Sequence, residues 1–182
     1  MYPNFATCEA VRGMEFCTFE QVNADRQPAH CTMLPFIRNV IGPMDFTPGI
    51  FDITAGKREV QKRVQSTLAN QLALYVVIYS PLHMAADLPE NYEKHPEAFQ
   101  FIKNVPTDWE RSRTLDARIG DYVVVARQQR GGEDWYLGAV TDEQPRSLSV
   151  ALDFLQPGRK YQAQIYRDET DADYRTNALA HV

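Results

Sequence analysis

The spacing of apolar residues in this 182-residue chain changes near Pro106, and two domains, or pieces of two, are the natural reading of such a change. Before that point, Val60, Val64, Leu68, Leu72 and Val76 recur at every fourth position, which is a helical stripe. Every position from Leu72 to Tyr79 is apolar, so the end of this helix is expected to be buried on most sides. Pro81 then kinks or ends it, and a second short helix is expected over Glu97 to Lys103, after His95-Pro96. Beyond Trp109 the pattern becomes strand-like. Tyr122 to Ala126 and Trp135 to Val140 read as strands joined by a turn at Arg130-Gly131-Gly132-Glu133. Leu148, Val150, Leu152 and Phe154 alternate with polar or small residues, and Tyr161, Ala163 and Ile165 continue the alternation beyond a tight turn at Gln156-Pro157-Gly158-Arg159. These segments predict an antiparallel meander completed as a β-sandwich, with Trp135 in its core rather than serving as a sugar platform.

Composition removes several function classes. The chain has 24 acidic and 19 basic residues, a net charge of -5, and no cluster of Lys and Arg to neutralise a run of phosphates, so no nucleic-acid partner is expected. The longest apolar run, Leu72 to Tyr79, falls well short of the roughly 20 residues a membrane-spanning helix needs. The cysteines Cys8, Cys17 and Cys31 are odd in number and form no CxxC pair, which argues against a disulfide framework. His30 adjoins Cys31, but neighbouring residues rarely ligate the same tetrahedral metal, so buried thiols are expected. The opening MYPNFATCEA has neither the basic nor the apolar region of a signal peptide.

Chemistry concentrates between Cys8 and Asp52, where Glu9 and Glu15 flank Arg12-Gly13. On a straight strand, carboxylates six residues apart would lie roughly 20 Å from one another, and on a helix they would point to different faces. Only a chain that turns between them brings both to one site, and Gly13 is placed to allow it, as in a loop at a strand end. Such a pair can bind a hard cation such as calcium, act as acid and base in glycosidic bond cleavage, or form a solvated ion-pair group with Arg12.

Several segments together resemble the C-terminal part of glycoside hydrolase family 97. They are EAVRGME at 9–15, LPFIR at 34–38, GPMDFTPG at 42–49, QLALYVVIYSP at 71–81, MAADLPENY at 84–92, Asp108-Trp109, GDY at 120–122, WYLGA at 135–139 and YRD at 166–168. The resemblance runs in the family's order through nearly the whole chain. It implies the C-terminal part of a (β/α)8 barrel over residues 1–106 and an antiparallel β-sandwich domain over 107–182. It also implies a calcium-dependent α-glucosidase or α-galactosidase acting on an oligosaccharide or other α-glycoside, in a periplasmic or extracellular setting for the full-length protein. Glu9 matches a calcium-ligand glutamate. Glu15 matches the glutamate that is general acid on the glycosidic oxygen and also contacts the metal. His30 is the candidate substrate contact or a loop cap, and Ala29 stands where several relatives have a glutamate. Arg12 and Asp45 fall inside matching motifs as substrate contacts or as a structural ion pair, whereas His83 and His95 are expected to pack or face solvent.

A full barrel takes roughly 250 residues, whereas only 106 precede the expected sandwich. The missing N-terminal part of the same protein would supply the opposing carboxylate, and the isolated chain is expected to release no p-nitrophenol from an α-glycoside. Two other classes compete with this reading. In the first, residues 107–182 form a non-catalytic module that binds carbohydrate through exposed Trp109 and Trp135 or braces a partner domain. Alternatively Glu9 and Glu15 could belong to a free-standing metal-binding protein, which would need further oxygen ligands.

Overall fold

The computed structural model describes residues 7, 14–18, 21–51, 54–55 and 62–181. In chain order these form a 3-10 helix (Met14–Thr18), helices α1 (Gln21–Asp25) and α2 (Gln27–Ile37), a two-residue strand pair β1 (Thr54–Ala55) and β2 (Lys62–Arg63), and helices α3 (Leu68–Val77), α4 (Pro89–Glu93) and α5 (Pro96–Asn104). Strands β3 (Trp109–Arg118), β4 (Tyr122–Gln129) and β5 (Trp135–Thr141) follow.

The expected helical stripe is shorter than its spacing suggests. Lys62 and Arg63 lie in β2, and the helix begins only after Thr67, whose extended backbone and hydroxyl, accepting from the Asn70 N–H, make it an N-cap. Val64 is nevertheless buried in the core, so its apolar character serves packing and not the helix. A second departure is α2, which puts His30, a candidate loop cap, inside a helix. Proline near its start removes only an N–H that has no intrahelical partner, and Pro35 sits inside the helix at the loss of one bond. The expected helix at 97–103 is α5, and α3 ends at Val77, ahead of Pro81.

Strands β3, β4 and β5 form an antiparallel sheet with β4 in the centre. The register pairs Val125 with Thr114 on one side and Gly138 on the other, so Val123, Val125, Arg127, Tyr136, Gly138 and Val140 share the inner face. Helix α3 crosses that face very closely: a Cβ at Gly138 would stand 2.8 Å from the Val76 Cβ and 2.9 Å from the Ala73 carbonyl oxygen. One core therefore joins both halves of the chain, with Met14, Cys17, Leu34, Met44 and Phe46 packed together with Leu74, Val77 and Ile78 and with Val123, Val125 and Val140. Each such fully buried large side chain contributes about 1.5–3 kcal/mol. The C-terminal tail returns to this core, where Ala178 is buried and its carbonyl accepts from the Leu68 N–H at the start of α3.

The second layer of the expected β-sandwich is not a hydrogen-bonded sheet. The tight turn at Gln156–Arg159 is present, with Gly158 at φ 77° and the Arg159 N–H donating to the Gln156 carbonyl. The arms on either side of it, expected as strands, run irregularly. Alternation predicts a strand only where one face is buried, and here Leu152 and Ile165 are 58% and 69% exposed. The segment still covers the outer face of the sheet, through the Arg113–Asp153 and Arg159–Glu133 ion pairs and through Phe154 tilted against Trp135 at 4.9 Å between ring centroids.

Candidate functional site

Of the residues singled out from the sequence, Glu9, Arg12 and Cys8 lie outside the described residues. Glu15 lies on the 3-10 helix between Met14 and Cys17, both buried, and that pair anchors its backbone, since residues three apart share a face of a 3-10 helix. His30 stands in α2 rather than a loop, half-buried, with its backbone N–H donating to the Arg26 carbonyl. Cys17 and Cys31 are buried free thiols. Burial pushes the Cys17 thiol up to about 11 and Cys31 further in the same direction, so both stay protonated at neutral pH. Among the described residues no three His, Cys, Asp or Glu side chains are grouped as a metal site would require, and no helix is long and apolar enough to cross a membrane.

The GPMDFTPG motif forms a loop held from several sides. Met44 and Phe46 bury their side chains, while the Thr7 hydroxyl donates to the Asp45 carboxylate. The Gln71 side-chain oxygen accepts from the Gly49 and Ile50 N–H groups at 2.9 and 3.2 Å, and its amide donates to the Ser66 hydroxyl at 2.7 Å. The Tyr75 hydroxyl lies 3.1 Å from both the Pro48 and Met84 carbonyl oxygens. The Tyr92 hydroxyl donates to the Gly49 carbonyl at 2.8 Å and accepts from the Asp87 N–H at 2.9 Å. Burial raises both phenols, Tyr92 to about 12, so each remains a donor. These positioning residues were missed in the sequence. The available signal was Gln71 itself, a polar residue at the head of a fully apolar helical run, which has to find partners when buried.

His83 packs behind the same loop. It forms an isolated parallel bridge with Phe46, its ring lies 5.2 Å from that of Tyr75, and its Nε2–H donates to the Ile78 carbonyl at 2.9 Å. Its Nδ1 is buried and has no hydrogen-bond partner among the described residues. Burial therefore lowers this histidine from 6.5 to about 4. The folded protein keeps it neutral whereas the unfolded chain takes up a proton below pH 6.5. Its contribution is complete above that pH and is lost as pH falls toward 4. Urea unfolding at pH 7 and pH 4.5 should show a loss of about 2–3 kcal/mol that is absent in His83→Gln. Equal acid sensitivity in the two proteins would exclude His83 as its source.

Of the two tryptophans proposed as an aromatic platform for a non-catalytic carbohydrate module, one is buried and the other, Trp135, is half-buried. Trp109 is only 7% exposed and packs edge-on to Tyr136, and Trp135 leans on Phe154.

Residues 108–181 match the family described as "Glycosyl-hydrolase 97 C-terminal, oligomerisation". The chain is 39% identical over 176 residues to a retaining alpha-galactosidase of Bacteroides thetaiotaomicron, covering 94% of this chain and 26% of the relative. A probable retaining alpha-galactosidase of Streptomyces bingchenggensis is 37% identical over 151 residues, covering 83% and 21% respectively. Among solved structures, a family 97 enzyme from Pseudoalteromonas sp. strain K8, determined in complex with panose and with acarbose, superposes with a TM-score of 0.89 at 48% identity, covering 100% of this chain and 28% of that one. These are similarities to the C-terminal region of a glycoside hydrolase. The chain belongs to glycoside hydrolase family 97, and it spans about a quarter of the length of the curated relatives it matches.

Proposed function

We propose that this chain is the C-terminal part of an enzyme that hydrolyses α-glycosidic bonds. The observation that carries the reading is the match of the entire chain, at 48% identity, to a family 97 enzyme solved in complex with panose and with acarbose. In this reading, residues 1–106 complete a catalytic (β/α)8 barrel and residues 107–182 brace it. The family description "oligomerisation" supports self-association through that second part.

Glu15, protonated, gives its proton to the glycosidic oxygen as the bond to the anomeric carbon breaks, which removes the need to expel an alkoxide. His30 contacts the sugar. Glu9 and Glu15 present carboxylate oxygens, the donors calcium takes, and two carboxylates furnish at most about four of the six to eight oxygens such an ion needs. The upstream part of the protein supplies the remainder. When bound, calcium contributes positive charge that stabilises the developing negative charge of the leaving group.

The test uses the gene product with its upstream sequence. It should release p-nitrophenol from an α-glucoside or an α-galactoside, and Glu15→Gln should lower kcat at least about a hundredfold with the protein still folded. Hydrolysis of neither substrate, or a fully active Glu15→Gln protein, would sink the reading.

A further inference from the structure

One cleft on the surface has a chemistry that neither the packing nor the catalytic reading uses. It measures about 400 Å³, within the roughly 300–1,000 Å³ of small-molecule sites, and lies between α5, β5 and the returning C-terminal segment. Phe101, Tyr136 and Tyr166 form its aromatic part, with Phe101 edge-on to Tyr136 and Tyr166 at 6.3 and 5.4 Å between ring centroids. Both tyrosines are tied to opposite ends of α5. The Tyr166 hydroxyl donates to the Glu97 carbonyl at 3.3 Å and accepts from the Gln164 amide at 2.6 Å, while the Tyr136 hydroxyl donates to the Asn104 carbonyl at 3.4 Å. The rings are therefore fixed before anything binds, which lowers the entropic cost of a ligand.

The rim is polar and carries no cation. The Gln100 amide donates to the Asn104 side-chain oxygen at 2.8 Å, which leaves the Gln100 oxygen, the Asn104 NH2, the Gln164 oxygen and the Glu97 carboxylate without a hydrogen bond to the described residues. This set offers three acceptors and one donor group beside aromatic carbon. A phosphate or carboxylate ligand would meet Glu97 with no Lys or Arg lining the cleft to offset it. A purely apolar ligand would strip water from four polar groups and satisfy none. A ligand whose hydroxyls each donate and accept, and whose ring carries an apolar C–H face, suits both parts.

We propose that this cleft is a saccharide-binding subsite that takes one or two units of an α-linked oligosaccharide. The proposal rests on the α-glycosidase reading for the identity of the sugar and on the cleft alone for its existence. Gln100 and Asn104 hold hydroxyls from α5, Gln164 holds one from the opposite wall, and a pyranose face lies on Tyr166 and Phe101.

The probe is maltotriose, titrated into the protein carrying its upstream sequence while the side-chain amide NMR signals of Gln100, Asn104 and Gln164 are followed, with inorganic phosphate as the control. The three amides are expected to shift together with a Kd of about 1 mM, a value typical of weak binding, and phosphate should leave them in place. Gln100→Ala and Asn104→Ala, both exposed and outside the core, should each weaken binding about fivefold or more with the melting temperature unchanged. Amides unmoved at about 50 mM maltotriose, or shifts that persist undiminished in both variants, would overturn the proposal. So would shifts that appear with protein concentration alone, which would mean that a second copy fills the cleft. The p-nitrophenyl glycoside assay of the full-length protein reads the other hypothesis: hydrolysis with silent amides removes only the subsite, and responsive amides without hydrolysis remove only the enzyme reading.

Discussion

Arg127→Ala is expected to destabilise the folded chain by about 3–5 kcal/mol, read from the urea midpoint with an unchanged slope. The arginine is buried on the inner face of the central strand and is not paired with a carboxylate among its described contacts. Its Nε donates to the Val76 carbonyl at 2.5 Å and its Nη2 to the Val77 carbonyl at 3.2 Å, the last carbonyls of α3, while Nη1 donates to the Ser112 hydroxyl on β3 at 2.6 Å. The guanidinium also lies 5.6 Å from the ring centroid of Tyr79 and 6.0 Å from that of Trp109. A helix C-terminus carries partial negative charge and orphan carbonyls, so a cation fixed there serves as both cap and counter-charge. Burial holds its pKa down to about 10, which leaves it charged at neutral pH. Alanine would abandon two buried carbonyls in the seam where Gly138 already brings β5 against α3. Arg127→Lys keeps the charge but cannot reach the two helix carbonyls and Ser112 with one ammonium, so an intermediate loss of about 2 kcal/mol is expected. Arg127→Met supplies the decisive comparison because it retains most of the packing. Stability equal to the parent would mean that the hydrogen bonds contribute nothing net.

Arg127 also shows how much of the fold could be read from the sequence. Val123 and Val125 point inward, and the same period-two count puts Arg127 on that face, yet a guanidinium after a valine run reads naturally as the solvated end of a strand. Strand β4 was legible because its continuous apolar run is buried on both faces, β5 because the alternation at its end is real burial, and α5 from its proline start. Strand β3 was not. Glu110, Arg111, Ser112, Arg113 and Thr114 are exposed, and the strand is held by its ladder to β4 across two register shifts, so no apolar period marks it. The opposite error occurred at Leu148 to Phe154, where perfect alternation accompanies no strand and leaves Leu148 and Leu152 exposed. Helix α2 was hidden by its two prolines.

Around the GPMDFTPG loop the sequence was legible as motif and much less so as architecture, while Glu9 lies outside the described residues. Family resemblance picked out the GPMDFTPG segment, and the clamp that holds it consists of Gln71, Tyr75 and Tyr92, residues that composition assigns to a core. Their buried polar atoms are the part that does not show in a hydropathy pattern, because each hydroxyl or amide finds its partner across 20 or more residues: the Gln71–Gly49, Tyr75–Pro48 and Tyr92–Gly49 bonds span 22, 27 and 43 positions.

Gly49 is where that clamp has no tolerance. Its φ of 90° lies in the left-handed region, and a Cβ added there would stand 2.5 Å from the Tyr75 hydroxyl oxygen and 3.3 Å from that of Tyr92. Both hydroxyls are the groups that hold the loop, so they cannot move aside without releasing the Pro48 and Gly49 carbonyls. Gly49→Ala is therefore expected to cost about 3–4 kcal/mol, part from the backbone conformation and part from the displaced tyrosines. Amide hydrogen exchange should report the loss locally first, at the Gly49 and Ile50 N–H groups bonded to Gln71. The pair Gly49→Ala with Tyr75→Phe separates the two causes. Removing the phenolic oxygen takes away the nearest collision, so the double variant should fall short of additivity by about 1 kcal/mol or more. Strict additivity would place the whole cost in the backbone, and a single variant within about 0.5 kcal/mol of the parent would show that the clamp yields where the structure makes it rigid.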